Sequence, residues 1–332
     1  MTAPFERAYS DALTHHRAGR LAEADRLYAQ ALTLNPALVE AHYNRGAIRQ
    51  LAGDWAGALS CYDAALRARP DYAEALSNRG NVLIQLRRYD QALASFDQAL
   101  AITPGRPSAL NGRAGVLFKL KRFEEALAAY RQLRTADRDN PYALGGMLIA
   151  AMNLCDWPAV ERIAPEVKRG IASGTAVVAP FPFLGFSDDK ALQLKCARNA
   201  VAELGLSPVP PLWRGERHHH DRVRLGYISS DFCQHPVPLL IARLIELHDR
   251  ERFEVYGFST GLNDNSPIRA RIEKAFDRFH DVQGQPAHVV ANLLRQQEVD
   301  ILIDLTGHTE GDHFEILGHR PCPVQVNYLG YP

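Results

Sequence analysis

Residues 80–104 read GNVLIQLRRYDQALASFDQALAITP, and their pattern decides the fold of the first part of the chain. The stretch holds a small residue, two aromatic residues, an alanine and a closing proline, namely Gly80, Tyr89, Phe96, Ala92 and Pro104. The same residue types recur 34 positions away in both directions, as in the column Ala24, Ala58, Ala92 and Ala126. A constant period of this length predicts a helical unit repeated about four times over residues 1–140.

The residue types in these columns have a mechanical interpretation. Small residues let two helices approach closely, aromatic residues fill the space between them, and the proline ends the second helix because it lacks a backbone N–H. The fourth unit is looser, since Ala114 stands where other units have glycine and Arg138 where they have proline. The pattern resembles the tetratricopeptide repeat, which implies a superhelix whose concave face holds a protein or peptide.

Two asparagines occupy equivalent positions on the first helix of successive repeats. They are Asn44 and Asn78, which lie one repeat period apart. A ladder of side-chain amides can hold the backbone of an extended peptide without selecting its side chains. Asn44 and Asn78 are therefore candidate peptide-binding residues; the alternative is that both are solvated polar residues.

The composition bounds the classes of function. The chain has 332 residues, enough for two or three domains, and its 38 basic and 38 acidic side chains balance. Such a balance offers no electrostatic argument for a nucleic acid or an anionic membrane as partner. The N-terminus lacks the apolar region of a signal peptide, and no apolar run is long enough to span a bilayer. We therefore expect a cytoplasmic protein.

The cysteines and histidines favour no metal site. The five cysteines are an odd number and show no CxxC spacing, so we expect reduced thiols rather than a zinc cage or a disulfide framework. His218–His220 form a run of three, but adjacent residues of an extended chain point to opposite sides. We expect this run to be a solvated linker.

The second half of the chain has a different period. Residues 141–217 are expected to form a helical bridge and a linker rich in proline and arginine that runs into His218–His220. Over residues 218–332, short β-branched or aromatic runs alternate with segments of helical spacing, for example FEVYGFS and VDILIDLTG with PLLIARLIELHD. This alternation predicts a Rossmann-like lobe with a parallel sheet.

In such sheets, ligands bind beyond the carboxyl ends of the strands. Three polar or glycine-containing loops follow predicted strands there: SSDFCQHP at residues 229–236, TGHTEGDH at 306–313 and LGYP at 329–332. The chain has no GxGxxG, P-loop or GxSxG motif. From the residues alone, the first loop is either a catalytic turn or an ordinary connection whose polar groups satisfy their own backbone.

The motifs together resemble a known family. After the repeats, RLGYISSDFCQHPVPLL, FEVYGFS, DILIDLTGHT and RPCPVQVNYLGYP are similar to the O-linked N-acetylglucosamine transferases of the SPINDLY type. The resemblance implies a tetratricopeptide superhelix followed by the N-terminal lobe of a GT-B glycosyltransferase. It also implies inverting transfer of N-acetylglucosamine from UDP-GlcNAc to serine or threonine of proteins held by the superhelix, with no metal or other cofactor.

The resemblance assigns roles to residues of the three loops. His235 and Asp231 match the catalytic part of the S-D-F-x-x-H-P motif, where the histidine is one proposed base and a donor phosphate oxygen or an Asp-led water chain is the alternative. The remaining matches are expected to line the cleft for donor and acceptor, namely Pro236, Thr306, Gly307, His308, Leu329, Gly330 and Pro332.

Two departures from the family pattern matter. His313 stands about where the family commonly has a basic residue, and the chain stops at Pro332, where the family continues into a second lobe. We therefore expect the chain to be an incomplete enzyme, either a fragment or a natural truncation, that is inactive by itself. The alternatives are a peptide-binding scaffold with a relic transferase lobe, or transfer of another sugar such as fucose.

Overall fold

The computed structural model describes residues 3–206, 208–309 and 311–330. The chain divides into two compact units, with the division between Val178 and Ala179. Within the described residues, no helix is both long and apolar enough to cross a membrane.

The first unit consists of consecutive helix pairs, as the repeat period predicts. Each odd-numbered helix packs against the even-numbered helix that follows it. The helices are α1 (Pro4–Arg17), α2 (Leu21–Leu34), α3 (Val39–Leu51), α4 (Trp55–Ala68), α5 (Ala73–Gln85), α6 (Tyr89–Ile102), α7 (Pro107–Lys119), α8 (Phe123–Ala136), α9 (Ala143–Asn153) and α10 (Trp157–Ser173).

The repeated glycine and aromatic columns form the contact between paired helices. A Cβ atom added to Gly80 of α5 would lie 2.6 Å from the ring of Phe96 of α6, and one added to Gly46 would lie 2.7 Å from the ring of Tyr62. Phe96 and Tyr62 are both fully buried. The absence of a side chain at the glycines therefore makes room for the aromatic rings, which confirms the mechanical interpretation of the repeat.

The second unit begins with two helices and continues as a parallel sheet. Its elements are α11 (Pro180–Leu184), α12 (Lys190–Glu203), β1 (Val223–Ser229), α13 (Pro236–Glu246), β2 (Phe253–Ser259), α14 (Pro267–Ala275), β3 (Arg278–Asp281), α15 (Ala287–Gln296), β4 (Ile301–Asp304), α16 (Phe314–Gly318) and β5 (Val324–Asn327). All strand pairs are parallel, and the order is β3-β2-β1-β4-β5. The predicted fold class, helical repeats followed by a Rossmann-like lobe, is confirmed.

Apolar residues cover both faces of this sheet. One cluster contains Leu225 and Tyr227 of β1 together with residues of α13 and α14, and the other contains Ile228 of β1 together with residues of α15. Successive residues of a strand point to opposite faces, so β1 contributes to both clusters. Burial on both faces explains the nearly continuous apolar runs of the strands.

The chain crosses to the other side of β1 after β3, because β4 pairs with β1 rather than with β3. The order therefore reverses between β1 and β4. A reversal of this kind opens a crevice beyond the carboxyl ends of the two strands, where open α/β sheets bind their ligands.

The expectation that residues 218–220 form a solvated linker is wrong for two of the three histidines. The side chain of His218 is only 4% exposed and that of His220 only 15% exposed, whereas His219 is exposed. The rings of His218 and His220 stack with centroids 5.5 Å apart. The alternation of an extended chain separates neighbours, but it puts residues two apart on the same side.

Removal of the Phe96 ring tests the repeat packing. We expect Phe96→Ala to lower the free energy of unfolding by about 3–5 kcal/mol, because it leaves a cavity between α5 and α6. Leu51→Ala, at a side chain that is 73% exposed, is the control and should change it by less than about 0.5 kcal/mol. Urea denaturation measures the free energy of unfolding of both variants. Equal losses would show that the buried aromatic rings do not stabilise the packing of paired helices.

Candidate functional site

The loop after β1 carries Asp231 and His235, and its geometry is that of a helix start. His235 is the N-cap of α13, and its Nδ1 accepts a hydrogen bond from the backbone N–H of Val237 at 3.4 Å. Pro236 occupies the first helical position, where its missing N–H costs nothing. The imidazole is 42% exposed, so a ligand can reach it.

Asp231 lies beside the same ring nitrogen. Its Oδ2 is 3.9 Å from Nδ1 of His235, which is too long for a hydrogen bond. Nδ1 cannot accept from Val237 and donate to Asp231 at the same time, because a neutral imidazole has one protonated and one unprotonated nitrogen. The contact with Val237 places the proton on Nε2, whereas a contact with Asp231 would place it on Nδ1 and leave Nε2 free to accept a proton.

A buried arginine that sequence reasoning missed holds this loop in place. Arg269 of α14 is 2% exposed, and its Nη1 donates to the carbonyl oxygen of Phe232 at 3.0 Å and to Oγ of Ser259 at 2.7 Å. Its Nη2 donates to Oδ2 of Asp281 at 3.0 Å. The guanidinium thus connects the loop after β1 to the ends of β2 and β3.

The sequence contained a signal for this arginine. Arg269 lies on the same face of α14 as Ile272 and Ala275, which are buried. A charged residue on the apolar face of an amphipathic helix requires buried partners, because an unpaired buried charge is very costly.

The loop after β4 is organised by the carboxylate of Asp304, which is buried at the end of that strand. It accepts hydrogen bonds from the backbone N–H groups of Thr306 at 3.1 Å and Gly307 at 3.0 Å, and from Nδ1 of His313 at 2.8 Å. Burial opposes its ionisation, but the bond and charge of His313 and the two amides outweigh burial, so the pKa of Asp304 lies below its ordinary value. The ionised carboxylate therefore sets the conformation of the loop.

His313, which stands about where the family commonly has a basic residue, contacts other residues of this lobe. Its Nδ1 faces Asp304, and its Nε2 lies 2.8 Å from Oγ1 of Thr260 at the end of β2. The ring is 3% exposed. Both nitrogens are engaged inside the protein, so His313 links the loops after β2 and β4 rather than presenting a group to a ligand.

Four loops meet at this edge of the sheet. Gln234, in the loop after β1, donates its backbone N–H to Oδ2 of Asp264 in the loop after β2 at 2.6 Å. A Cβ atom on Gly330, after β5, would lie 2.8 Å from the backbone nitrogen of Gly307, so only glycine permits this approach. With the link through His313, the three loops predicted from the sequence and the loop after β2 form one continuous edge.

The remaining candidates of the cleft lie in the loops after β4 and β5. The ring of His308 packs on that of Phe314 with centroids 4.6 Å apart, and burial lowers the pKa of His308, so the ring is neutral near pH 7. Thr306 is fully buried, and its Oγ1 has no hydrogen-bond partner among the described residues. Leu329 is 45% exposed, and Pro332 lies outside the described residues.

The candidate peptide-binding asparagines of the first unit have internal partners. Nδ2 of Asn78 donates to the hydroxyl of Tyr43 at 3.1 Å, and Nδ2 of Asn44 donates to the hydroxyl of Tyr9 at 3.5 Å. Each bond connects the first helix of one repeat to the first helix of the preceding repeat. These amides therefore contribute to the stacking of repeats, and their contact with a peptide stays a prediction.

Potential metal ligands lie away from these loops. His218, His220 and Glu298 form a compact group, but they precede β1 and β4 and so lie at the amino ends of these strands. The carboxyl-end loops and this group occupy opposite edges of the sheet.

Family models match both parts of the chain. Residues 207–332 match the model of glycosyl transferase family 41, and residues 51–107 and 78–141 match a tetratricopeptide repeat model. The chain is similar to two Arabidopsis thaliana proteins named as probable UDP-N-acetylglucosamine–peptide N-acetylglucosaminyltransferases. It is 32% identical to SEC over 196 residues, which are 54% of this chain and 20% of SEC. It is 30% identical to SPINDLY over 130 residues, which are 38% of this chain and 14% of SPINDLY.

The similarity covers only part of each relative, since the matched region spans a fifth or less of their length. Among solved structures, the MamA RS-1 ArsTM double mutant superimposes with a TM-score of 0.50 at 18% identity, over 52% of this chain and 97% of that one. At this identity the likeness concerns the fold of the repeats alone. The family models and the relatives confirm the resemblance found in the sequence.

Removal of the Arg269 guanidinium tests the connection between the loop after β1 and α14. We expect Arg269→Gln to lower the free energy of unfolding by about 1–3 kcal/mol, because it leaves the buried carbonyl of Phe232 and the buried hydroxyl of Ser259 without their guanidinium donor. The control is Arg271→Gln, at another arginine of α14. It removes only a partly exposed ion pair with Glu246 of α13 and should lower the free energy of unfolding by less than about 1 kcal/mol.

Urea denaturation measures both losses, and hydrogen exchange of residues 229–236 shows whether the loop is released. Protection of that loop unchanged in Arg269→Gln would contradict the assignment.

Acid titration tests the role of Asp304. Its pKa is lower in the folded protein than in the unfolded chain, where it is about 3.9. Its stabilisation is therefore fully present above that value and is lost as the pH falls through the lower folded value. We expect Asp304→Asn to be less stable at neutral pH and to lose less further stability below about pH 4 than the wild type.

Asp221→Asn, at an exposed carboxylate, is the control and should follow the wild type. Urea midpoints measured across this pH range provide the comparison. If the urea midpoints of the wild type and Asp304→Asn fall in parallel below about pH 4, the ionised carboxylate of Asp304 does not stabilise the fold.

Proposed function

We propose a function from the families that this chain resembles: residues 207–332 match the model of glycosyl transferase family 41, and residues 51–107 and 78–141 match a tetratricopeptide repeat model. A protein that carries this chain transfers N-acetylglucosamine from UDP-N-acetylglucosamine to serine or threonine hydroxyls of other proteins. Relatives named for this activity support the donor and the class of acceptor.

One observation carries the proposal. Asp231 and His235 follow β1, Thr306 and His308 follow β4, and these are the two strands between which the order of the sheet reverses. Ligands of open α/β sheets bind at such a reversal. The polar residues singled out by the family resemblance therefore stand where the fold provides a crevice.

His235 and Asp231 are suited to remove the proton of the acceptor. The hydroxyl oxygen attacks the anomeric carbon of the sugar, the bond from that carbon to the UDP phosphate oxygen breaks, and the configuration inverts. The hydroxyl proton must leave as the new bond forms, and an imidazole has a pKa near working pH for this task. Nε2 of His235 can accept the proton when Nδ1 carries a hydrogen directed at Asp231, which requires the 3.9 Å separation to close to hydrogen-bond length.

The loops after β4 and β5 are suited to the donor. The neutral ring of His308 adds no charge beside a diphosphate sugar, and Thr306 has a buried hydroxyl without a partner among the described residues. Gly330 keeps the loop after β5 against the backbone of the loop after β4. Together with Pro236 and Leu329, these residues are proposed to line this lobe's side of the cleft, and a role for Pro332, outside the described residues, stays a prediction from the family resemblance. The chemistry we propose uses no metal or other cofactor.

The repeats are proposed to hold the acceptor protein. Tetratricopeptide units present a continuous concave surface formed by their first helices. Asn44 and Asn78 lie on the first helices of successive repeats, α3 and α5, so a peptide on that surface would pass both amides.

The decisive variant is His235→Asn in the natural protein. Asparagine is a strong N-cap, so it preserves the start of α13 while removing the imidazole. We expect transfer from radiolabelled UDP-GlcNAc to fall by about 10²–10⁴-fold, the usual contribution of a positioned base. Gln234→Ala, at the exposed neighbouring side chain, is the control and should retain activity.

Wild-type transfer by His235→Asn would remove His235 from the mechanism and assign the proton to the donor phosphate or a water chain. Absence of transfer and of UDP-GlcNAc hydrolysis by the wild type, with retained peptide binding, would instead favour a scaffold whose transferase lobe is a relic. Transfer from GDP-fucose but not from UDP-GlcNAc would assign another sugar.

A further inference from the structure

A compact group of potential ligands lies at the edge of the sheet opposite the proposed cleft. His218 and His220 belong to the extended segment before β1, and Glu298 belongs to the turn between α15 and β4. Because β1 and β4 are adjacent and parallel, the segments that precede them both lie at the amino-end edge of the sheet. The pairing thus brings together side chains that lie far apart along the chain.

The distances within the group match those of a metal site. Nδ1 of His218 lies 3.8 Å from Oε1 of Glu298, and Nε2 of His220 lies 3.5 Å from Oε2 of Glu298. One ligand atom from each of the three residues lies within 4.8 Å of the other two. In a tetrahedral zinc site with bonds of about 2.0–2.2 Å, neighbouring ligand atoms are about 3.3–3.6 Å apart. Small side-chain adjustments would therefore complete the geometry.

The two imidazoles are held in place before any ion binds. Their rings stack with an interplanar angle of 17°, and the side chain of His218 is 4% exposed. Nε2 of His220 is buried and has no hydrogen-bond partner among the described residues. Buried polar atoms almost always have a partner, so this nitrogen is available to bind a ligand.

Two arginines border the group, and each has another carboxylate partner. Nη1 of Arg295 is 3.5 Å from Nε2 of His218, at the outer limit of a hydrogen bond, while its Nη2 is 2.5 Å from Oε1 of Glu216. Nη1 of Arg224 is 3.3 Å from Oε2 of Glu298. Nε of Arg224 also donates to Glu254, so Arg224 keeps an ion pair when Glu298 turns to a cation.

We propose that His218, His220 and Glu298 bind a divalent transition-metal ion, for which zinc has the best match. Two imidazole nitrogens and one carboxylate oxygen are ligands that Zn²⁺ prefers, with water in the fourth position. The ion would connect the segment before β1 to the turn before β4. Its role is to stabilise the amino edge of the lobe, independently of sugar transfer.

The test is calorimetric titration of Zn²⁺ into the 332-residue chain, prepared without a polyhistidine tag. We expect the wild type to bind one ion per chain, and His220→Ala and Glu298→Gln each to weaken binding by at least about tenfold. His219→Ala removes the exposed histidine between the two ligands and should bind as the wild type does.

Thermal denaturation provides a second measurement, because an ion that binds only the folded protein raises the melting temperature. Zinc should raise Tm for the wild type and His219→Ala but not for Glu298→Gln, and the metal-free Tm of each variant reports whether it folds. Failure of the wild type to bind Zn²⁺ would overturn the proposal. Equal weakening by His219→Ala and His220→Ala, with no effect of Glu298→Gln, would also overturn it, since that pattern indicates adventitious binding by a run of histidines.

Discussion

The parallel pairing of β1 with β2 on one side and β4 on the other determines the position of the candidate residues in the second unit. Parallel strands start at one edge of a sheet and end at the other, so the loops that follow β1 and β4 must be neighbours, and so must the segments that precede them. The first consequence places Asp231 and His235 beside the loop of Thr306 and His308. The second places His218 and His220 beside Glu298.

Two buried charged groups keep the carboxyl-end loops in a defined conformation. Arg269 donates to the loop after β1 from the side of β2 and β3, and Asp304 accepts from the loop after β4. Each group has several partners, which is the condition for a charge to remain in a low-dielectric interior. These residues are positioning groups, since their bonds go to the protein itself. At the same edge, the ring of His235 is 42% exposed, and the hydroxyl of Thr306 has no hydrogen-bond partner among the described residues.

The N-cap geometry of His235 joins the two interpretations that the loop sequence left open. Its Nδ1 satisfies a backbone N–H at the start of α13, as in an ordinary connection. The same nitrogen lies near Asp231, as the proposed mechanism requires. In the proposed mechanism, a change of tautomer would exchange the bond to Val237 for a bond to Asp231, so helix capping and proton acceptance would be alternative states of one side chain.

The sequence by itself determined the repeat, the class of the second unit and the loops that carry the candidate residues. The repeat period, helical spacing and apolar runs depend on residues that are close together in the sequence, so they can be recognised without the structure. Only the tertiary structure decided which polar groups meet. The pairs Arg269 with Phe232, His313 with Thr260, Asn78 with Tyr43, and His220 with Glu298 each join residues from different elements, far apart along the chain. Strand order and helix packing bring these partners together, because contacts between distant residues depend on how the elements are arranged in space rather than on spacing within any one of them.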